Sequence, residues 1–483
     1  MEPRPAPADP PVEPDAAPAP EAADGSTAPT APPGDVPVTD QPPDAAELVA
    51  RRQFFRAFSR DTARAAIQVA GMAMAFQRGT GAAAGELLGL AVSPEQALGR
   101  LAGEQPADAA AEPDTPRRVF RSPYRIEGDE IVLLDQRLYP AETREIRCAT
   151  AAQAASAMLQ RQVVGAPVLA QVAAYGVWRG AVAARGQTTF IRLAVLHNAA
   201  ETLRHARLHV ASVGRATRRV TAAWEAAMAR TDDDAGAADA ARREADAIAT
   251  ETTAALIGIV AAGSAGLAQP GSRPLEILTL GSTGALAGGQ LGGALGIVLE
   301  IARLGRPVHV WLLETRPDRS GARLAGWELA AAGVSATVVP DASAAWLLER
   351  TTIDAVLVGA DRIAADGATT ATIGTLAVAQ AAQRASVPLW VVSPLAAVDP
   401  GVADASGSSV ESDRYAEVGG DDMPLDLFGA SVQARGPLQD VTAPEAIAAF
   451  VTEAGILRPP FGPALAAALG AGEVAARLPE AGT

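Results

Sequence analysis

The sequence predicts an α/β protein, with a helical N-terminal domain and a Rossmann-like, parallel-sheet C-terminal domain behind a disordered N-terminal tail. Three observations carry this. From residue 275 onward, short apolar runs alternate with helical stretches, the pattern of βαβ units and a parallel sheet. Between 149 and 263 the apolar positions instead repeat at helical spacing. Residues 1–45 are rich in Pro, Ala and Asp without apolar periodicity, so they cannot bury enough surface to offset chain entropy.

Taken in order, 46–103 carries helical patterning through Phe54, Phe55, Phe58, Ile67, Val69, Met72, Met74 and Phe76. With the acidic, Pro-bearing linker 104–117, it forms a helical appendage over 46–117. The helical domain is expected over 118–265. It opens with a short strand at 131–134, then long helices at 149–183 and 188–229. A surface loop follows at 231–241, marked by Asp232, Asp233 and Asp234, and a further helix runs to about Gly263. The Rossmann-like domain is expected over 266–465. Its strands fall at 275–280, 308–313, 336–339, 355–359 and 388–393, with helices to Leu304, near 321–332, 343–350 and 370–384. Residues 466–483 read as a C-terminal tail. Ligands of such sheets sit at the C-terminal ends of the strands, which directs attention to the segments after Leu280, Leu313 and Gly359.

The net charge of −15 over 483 residues argues against a nucleic-acid surface or an anionic membrane as partner. No lysine occurs, so every strong base is Arg. The single cysteine, Cys148, excludes an internal disulfide and Cys-based zinc motifs, and reads as a buried structural thiol. His205 and His209 stand at metal-pair spacing, but the run is HARLH rather than HExxH. A solvated helix face is therefore expected there, with no metal and no cofactor. Unbroken apolar runs stay short of the ~18–20 residues of a spanning helix. The run Arg51-Arg52-Gln53-Phe54-Phe55 superficially resembles a twin-arginine signal, but charges follow at Arg56, Arg60, Asp61 and Arg64, where an apolar stretch would begin. The expected location is the cytoplasm.

Several separate motifs stand in one order along 120–462. They are Leu133-Leu134-Asp135-Gln136-Arg137, Gly165-Ala166-Pro167, Ile277-Leu278-Thr279 through Thr283-Gly284-Ala285-Leu286-Ala287, Glu314-Thr315-Arg316-Pro317, Gly321-Ala322-Arg323-Leu324, Val358-Gly359-Ala360-Asp361-Arg362-Ile363 and Gly455-Ile456-Leu457-Arg458-Pro459-Pro460. Together they resemble the methylthioribose-1-phosphate isomerase family, within the wider group that includes initiation factor 2B subunits.

The resemblance implies a homodimer and the aldose–ketose isomerisation of a 1-phosphorylated sugar, of methionine-salvage type. That reaction needs a proton carrier on each side of the reacting bond and a cationic grip on the phosphate. The family's catalytic Asp falls on Asp361; a partly desolvated carboxyl there has a raised pKa and can act as general acid. The family's Cys falls on Gly281, which has no side chain to move a proton, and the neighbouring Ser282 hydroxyl is a poor acid or base. The family's phosphate-binding Arg falls on Val164, its Asn-Lys pair on Ala371-Thr372, a further Arg near Gln187 at the start of the second long helix, and a Gln on Ser320. Arg161 can replace the missing Arg only if the chain bends there. The substrate-binding set implied is Gly165, Ala166, Gly281, Ser282, Thr283, Gly284, Arg316, Arg323 and Arg362. Two functions stay open at this point: an isomerase of this class, or a non-catalytic sugar-phosphate- or nucleotide-binding or regulatory assembly protein.

Overall fold

The structure is a computed structural model describing residues 122–231, 233–267, 273–407 and 437–477. The tail, appendage and linker expected over 1–117 lie outside the described residues.

A small antiparallel sheet comes first: β1 (Tyr124–Glu127), β2 (Glu130–Leu134) and β3 (Glu145–Cys148), with Ile131 opposite Cys148. Four helices follow: α1 (Ala151–Leu159), α2 (Ala166–Ala183), α3 (Thr189–Ala206) and α4 (Ala211–Thr231). Each long helix expected from the sequence is thus two. Thr150 begins α1 with a capping box, its side chain accepting from the Gln153 N–H. The chain cannot run on into α2, because Pro167 lacks an N–H and fits only a first turn. Gly165, at φ +102°, makes the bend, and an added Cβ would meet the Ala287 carbonyl at 2.4 Å. Fourteen of the eighteen residues of α2 are buried, so it is the centre of this domain rather than an amphipathic surface helix.

The acidic segment expected to be a loop mostly joins helix α5 (Asp234–Leu267). The Asp233 carboxylate accepts from the Ala235 N–H at its start, and acidic groups favour a helix N-terminus. The first half of α5 packs Ala237, Ala238, Ala241, Ala245 and Ile248 into the helical core. Its second half places Leu256, Ile259 and Leu267 in the core of the next domain. By length and composition α5 is apolar enough to cross a membrane, although its apolar residues do not form one unbroken run; in this fold it is the member shared by two cores.

The second domain holds a seven-stranded sheet in the order β14-β13-β10-β7-β4-β5-β6. The strands are β4 (Leu275–Thr279), β5 (Val308–Leu313), β6 (Ser335–Val339), β7 (Ala355–Val358), β10 (Leu389–Val392), β13 (Ala449–Thr452) and β14 (Gly455–Leu457). All pair in parallel except β14. Every residue of β7 and β10 is buried, as expected of strands covered on both faces. Two apolar cores flank the sheet. Strand β4 pairs with β5 on one side and β7 on the other. The direction of winding reverses there, making it the switch point at which ligands of such sheets bind.

The stretch 370–384, expected as one helix, is strand β9 (Thr369–Thr372) followed by α10 (Thr375–Arg384), counting the intervening helices α6 (Ala285–Gly288), α7 (Ala294–Arg303), α8 (Gly326–Ala332) and α9 (Ala344–Arg350). Strand β9 belongs to a second sheet with β8 (Arg362–Ala364), β11 (Val398–Asp399) and β12 (Gln439–Thr442), which the sequence reading did not contain. Its strands are two to four residues long, too short for a periodic signal. The helix expected to end at Leu304 is interrupted between α6 and α7 by Gly289, Gly292 and Gly293. From Phe461 the chain forms helix α11 (Phe461–Arg477), covering most of the segment read as a tail.

Candidate active site

A pocket opens where the C-terminal ends of β4 and β7 meet the N-terminus of α2. It holds about 110 Å³. Gly281, Ser282 and Thr283 leave β4 along one wall, and Gly359, Ala360 and Asp361 leave β7 along another. Gly165, Ala166 and Pro167 bring the start of α2 to the same space, while Ala371 and Thr372 of β9 and Gln439 of β12 complete it.

Gly281 has φ +76°, and its N–H donates to the Thr315 hydroxyl at 2.8 Å. A Cβ there would stand 3.5 Å from Thr372 Oγ1, an ordinary contact; the backbone conformation, not space, is what favours glycine. The hydroxyls of Ser282 and Thr283 are buried without a hydrogen-bonding partner among the described residues. Gly284 lies just behind this wall at the start of α6. The next two N–H groups are taken by a carboxylate: Glu328 accepts from Ala285 at 2.6 Å and from Leu286 at 3.1 Å. The first two N–H groups of α6 are thus given to a buried protein group.

Asp361 is locked through its backbone. Its N–H donates to Thr370 and its carbonyl accepts from Ala211, at 2.9 and 3.0 Å. Beside it stands His209, which lies in the loop after α3 rather than on a helix face with His205. His205 is exposed and bonds the Glu201 carbonyl. His209 is buried at 3% exposure, with its Nε2 3.8 Å from Asp361 Oδ2 and 3.0 Å from Gln439 Nε2. Burial first, then the nearby Arg207, Arg161 and Arg362 guanidiniums, push its pKa down from 6.5 to about 3. The imidazole is neutral at physiological pH and can accept from Gln439. Among the described residues, no group of three or more His, Cys, Asp or Glu is placed to hold a metal ion.

Arg161 also reaches the pocket, because the chain does bend: its φ is +58°. The guanidinium pairs with Asp318 at 2.5 Å. The other arginines singled out from sequence are occupied behind the pocket. Arg323 donates to the carbonyls of Gln136 and Tyr139, each at 2.6 Å, tying the first sheet to the second domain. Arg362 donates to the Leu208 carbonyl at 2.7 Å and faces Asp399 at 3.4 Å. Arg316 follows β5, with its N–H on Asp341 at 2.6 Å. The structure therefore brings together Gly165, Ala166, Gly281, Ser282, Thr283 and Asp361, and sets Gly284, Arg316, Arg323 and Arg362 around rather than in the pocket lining. Arg207, His209 and Gln439 line it without having been singled out as site residues. Cys148 is buried at the end of β3, its thiol pushed up to about 11 by burial and by Glu130.

Comparison with known proteins identifies the family. The profile of the initiation factor 2 subunit family matches residues 162–459. Methylthioribose-1-phosphate isomerase of Chloroflexus aurantiacus is 35% identical over 340 residues, covering 69% of this chain and 94% of the relative. The protein of the same name from Thermus thermophilus is 35% identical over 357 residues, covering 72% and 98%. Among solved structures, 5-methylthioribose 1-phosphate isomerase of Pyrococcus horikoshii superposes with TM-score 0.63 at 26% identity, covering 73% of this chain and 97% of that one. The delta subunit of translation initiation factor eIF-2B from A. fulgidus gives 0.58 at 27% identity, covering 72% and 99%. On the profile match over residues 162–459 and the identity and coverage of these relatives, the chain belongs to the initiation factor 2 subunit family, with methylthioribose-1-phosphate isomerases among its relatives.

Proposed function

We propose that this chain is a cytoplasmic, methylthioribose-1-phosphate isomerase-like protein whose pocket binds a small 1-phosphorylated sugar, and that it binds this ligand without carrying out the two-sided proton transfer of an aldose–ketose isomerase. One observation carries the reading. The pocket's non-arginine ionisable groups, Asp361 and His209, stand side by side at 3.8 Å, while the facing wall is Gly281, Ser282 and Thr283. Moving hydrogen between adjacent carbons needs a proton carrier at each. Serine and threonine hydroxyls do not serve at neutral pH without a base, and their own oxygens are buried without partners.

The test is proton NMR of the purified protein with methylthioribose 1-phosphate, beside Asp361→Asn. Ligand binding with no ketose is the expected result. Ketose that disappears in Asp361→Asn overturns it. That outcome would favour the second reading, an isomerase in which His209 and Asp361 act as a relay, for which their contact in one pocket is the support. A nucleotide ligand would show itself by displacing the sugar phosphate. The chain is further proposed to act as a homodimer. Only a third of the most apolar stretch of α5 is buried within the chain, and a stretch of that kind suits a partner copy. Sedimentation at a single-chain mass would refute this.

A further inference from the structure

The first turn of α3 leaves its apolar side chains in water. Phe190 is 82% exposed, the most of any large apolar side chain among the described residues, with Ile191 at 42% and Leu193 at 37%. A single exposed apolar residue is ordinary, but three within four positions make a patch. They do not fasten the helix to its domain. That is done by Leu196, Ala199, Leu203 and Ala206, a stripe at helical spacing that begins one turn later. The patch is also not the face proposed for a partner copy. The Gly186 N–H, just before α3, donates to Asp234 Oδ2 at 2.6 Å, so the patch stands beside the first residue of α5. The apolar half of α5 starts near Leu256, about 33 Å further along the helix axis. On the α5 side the rim is acidic. Asp233 and Asp234 accept from backbone N–H groups and pair with no cation among the described residues. Arg185 faces Asp239 at 3.6 Å, and Arg192 donates to the Gln187 carbonyl.

A complementary segment occurs in the chain itself, outside the described residues. At helical spacing Phe58, Thr62, Ala65, Val69, Met72 and Phe76 fall on one line. Arg60, Arg64 and Arg78 fall on the far side, together with Ile67 and Met74. Near Phe58 the segment is basic, with Arg60 and Arg64 against Asp61, the charge that suits an acidic rim. Residues 77–121 join Phe76 to Ser122, where the described chain begins. Their reach at full extension is roughly 150 Å, enough for any face of the domain. A tethered segment also meets the patch at an effective concentration that a separate protein does not match.

We propose that Phe190, Ile191 and Leu193 form the docking face for the chain's own 58–76 segment, which lays its apolar line on the patch and turns Arg60 and Arg64 toward Asp233 and Asp234. This is recognition of an amphipathic helix by an apolar surface, within one chain, and it stands apart from the pocket and its ligand.

The full chain carries the test. Its one cysteine, Cys148, is buried, so a thiol placed in the segment is the reactive one. Met72→Cys should alkylate slowly, and about tenfold or more faster when Phe190→Ser is added, with the circular dichroism spectrum and melting midpoint of the folded domains unchanged. Arg60→Gln/Arg64→Gln should raise the rate by a smaller factor, as added salt should. Trp346→Ser, which removes another exposed apolar side chain, at 64% exposure on α9, should leave the rate as it was. A second measurement needs no new thiol. Trypsin cuts this lysine-free chain only at arginine, and cleavage after Arg64 and Arg78 should be faster in Phe190→Ser by a similar factor. Equal alkylation and equal cleavage with and without Phe190 overturn the proposal. Protection that fades on dilution overturns it too, in favour of a second copy of the chain on the patch.

Discussion

Removing the Glu328 carboxylate should loosen the pocket by unseating a turn rather than by touching a ligand. Glu328 is fully buried on α8, and its two oxygens accept from the N–H groups of Ala285 and Leu286 at 2.6 and 3.1 Å. These open α6, which carries Ala287 and Gly288 into the pocket wall. The same turn is held by Gln136, donating to the Leu286 carbonyl at 2.7 Å, and by Gln171, donating to the Gly288 carbonyl at 3.2 Å. In Glu328→Ala two buried donors lose their acceptor, at about 1–3 kcal/mol each, and a cavity is left, so the loss should be about 3–6 kcal/mol. Glu328→Gln keeps one acceptor and should lose about half as much, ~1.5–3 kcal/mol. Urea unfolding followed by tryptophan fluorescence and by circular dichroism measures both. A loss below about 1 kcal/mol for Glu328→Ala, or equal losses for the two variants, would refute the assignment of the carboxylate as the turn's anchor.

Gly165→Ala places a methyl 2.4 Å from the Ala287 carbonyl at a residue with φ +102°, and should destabilise by about 2–5 kcal/mol in the same unfolding assay. Gly281→Cys meets only an ordinary contact with Thr372, so it should fold with a loss of about 1–2 kcal/mol from its left-handed backbone; alkylation should label the new thiol and leave buried Cys148 untouched. Asp440 accepts from the Gly374 and Leu376 N–H groups, yet burial raises its pKa from 3.8 to about 6. The folded state keeps this proton longer than the unfolded one, so its contribution is complete below about pH 4 and lost as pH rises through 6. Asp440→Asn should therefore stabilise by about 1–3 kcal/mol at pH 8 and by nothing near pH 4, as thermal melts across that range would read; a gain independent of pH would contradict it.

The Rossmann-like half was legible because its strands are buried on both faces and read as continuous apolar runs, as at Val356-Leu357-Val358. Their alternation with helices also placed Gly281–Thr283 and Asp361 at strand ends, where the pocket is. The second sheet was not legible. Thr369-Thr370-Ala371-Thr372 pairs with β8 and β12, partners that no local pattern announces, and lies directly before a real helix. His209 escaped for a related reason. Its four-residue spacing from His205 suggests a helix face, but α3 ends at Ala206 and His209 lies in the turn that follows, buried beside Asp361. Arg323 misled in the opposite sense. An arginine after a strand end suggests a ligand contact, yet its donors go to main-chain carbonyls, those of Gln136 and Tyr139 in the segment between β2 and β3 and that of Asp318, a satisfaction of backbone that composition does not encode.

Because Gln439 holds His209 across 230 residues of chain, the pocket has a place in time as well as in space. During synthesis, Arg161, Arg207 and His209 leave the ribosome long before β7 brings Asp361, and β12 closes the loop last. Until then the basic loop after α3 has no amide to orient it and no carboxylate beside it. Contacts of such long sequence separation are the slow ones to form, so ligand-binding capacity should be among the last properties a newborn chain acquires. A chain truncated before β12 can build the whole helical core and most of the sheet and still present no finished pocket.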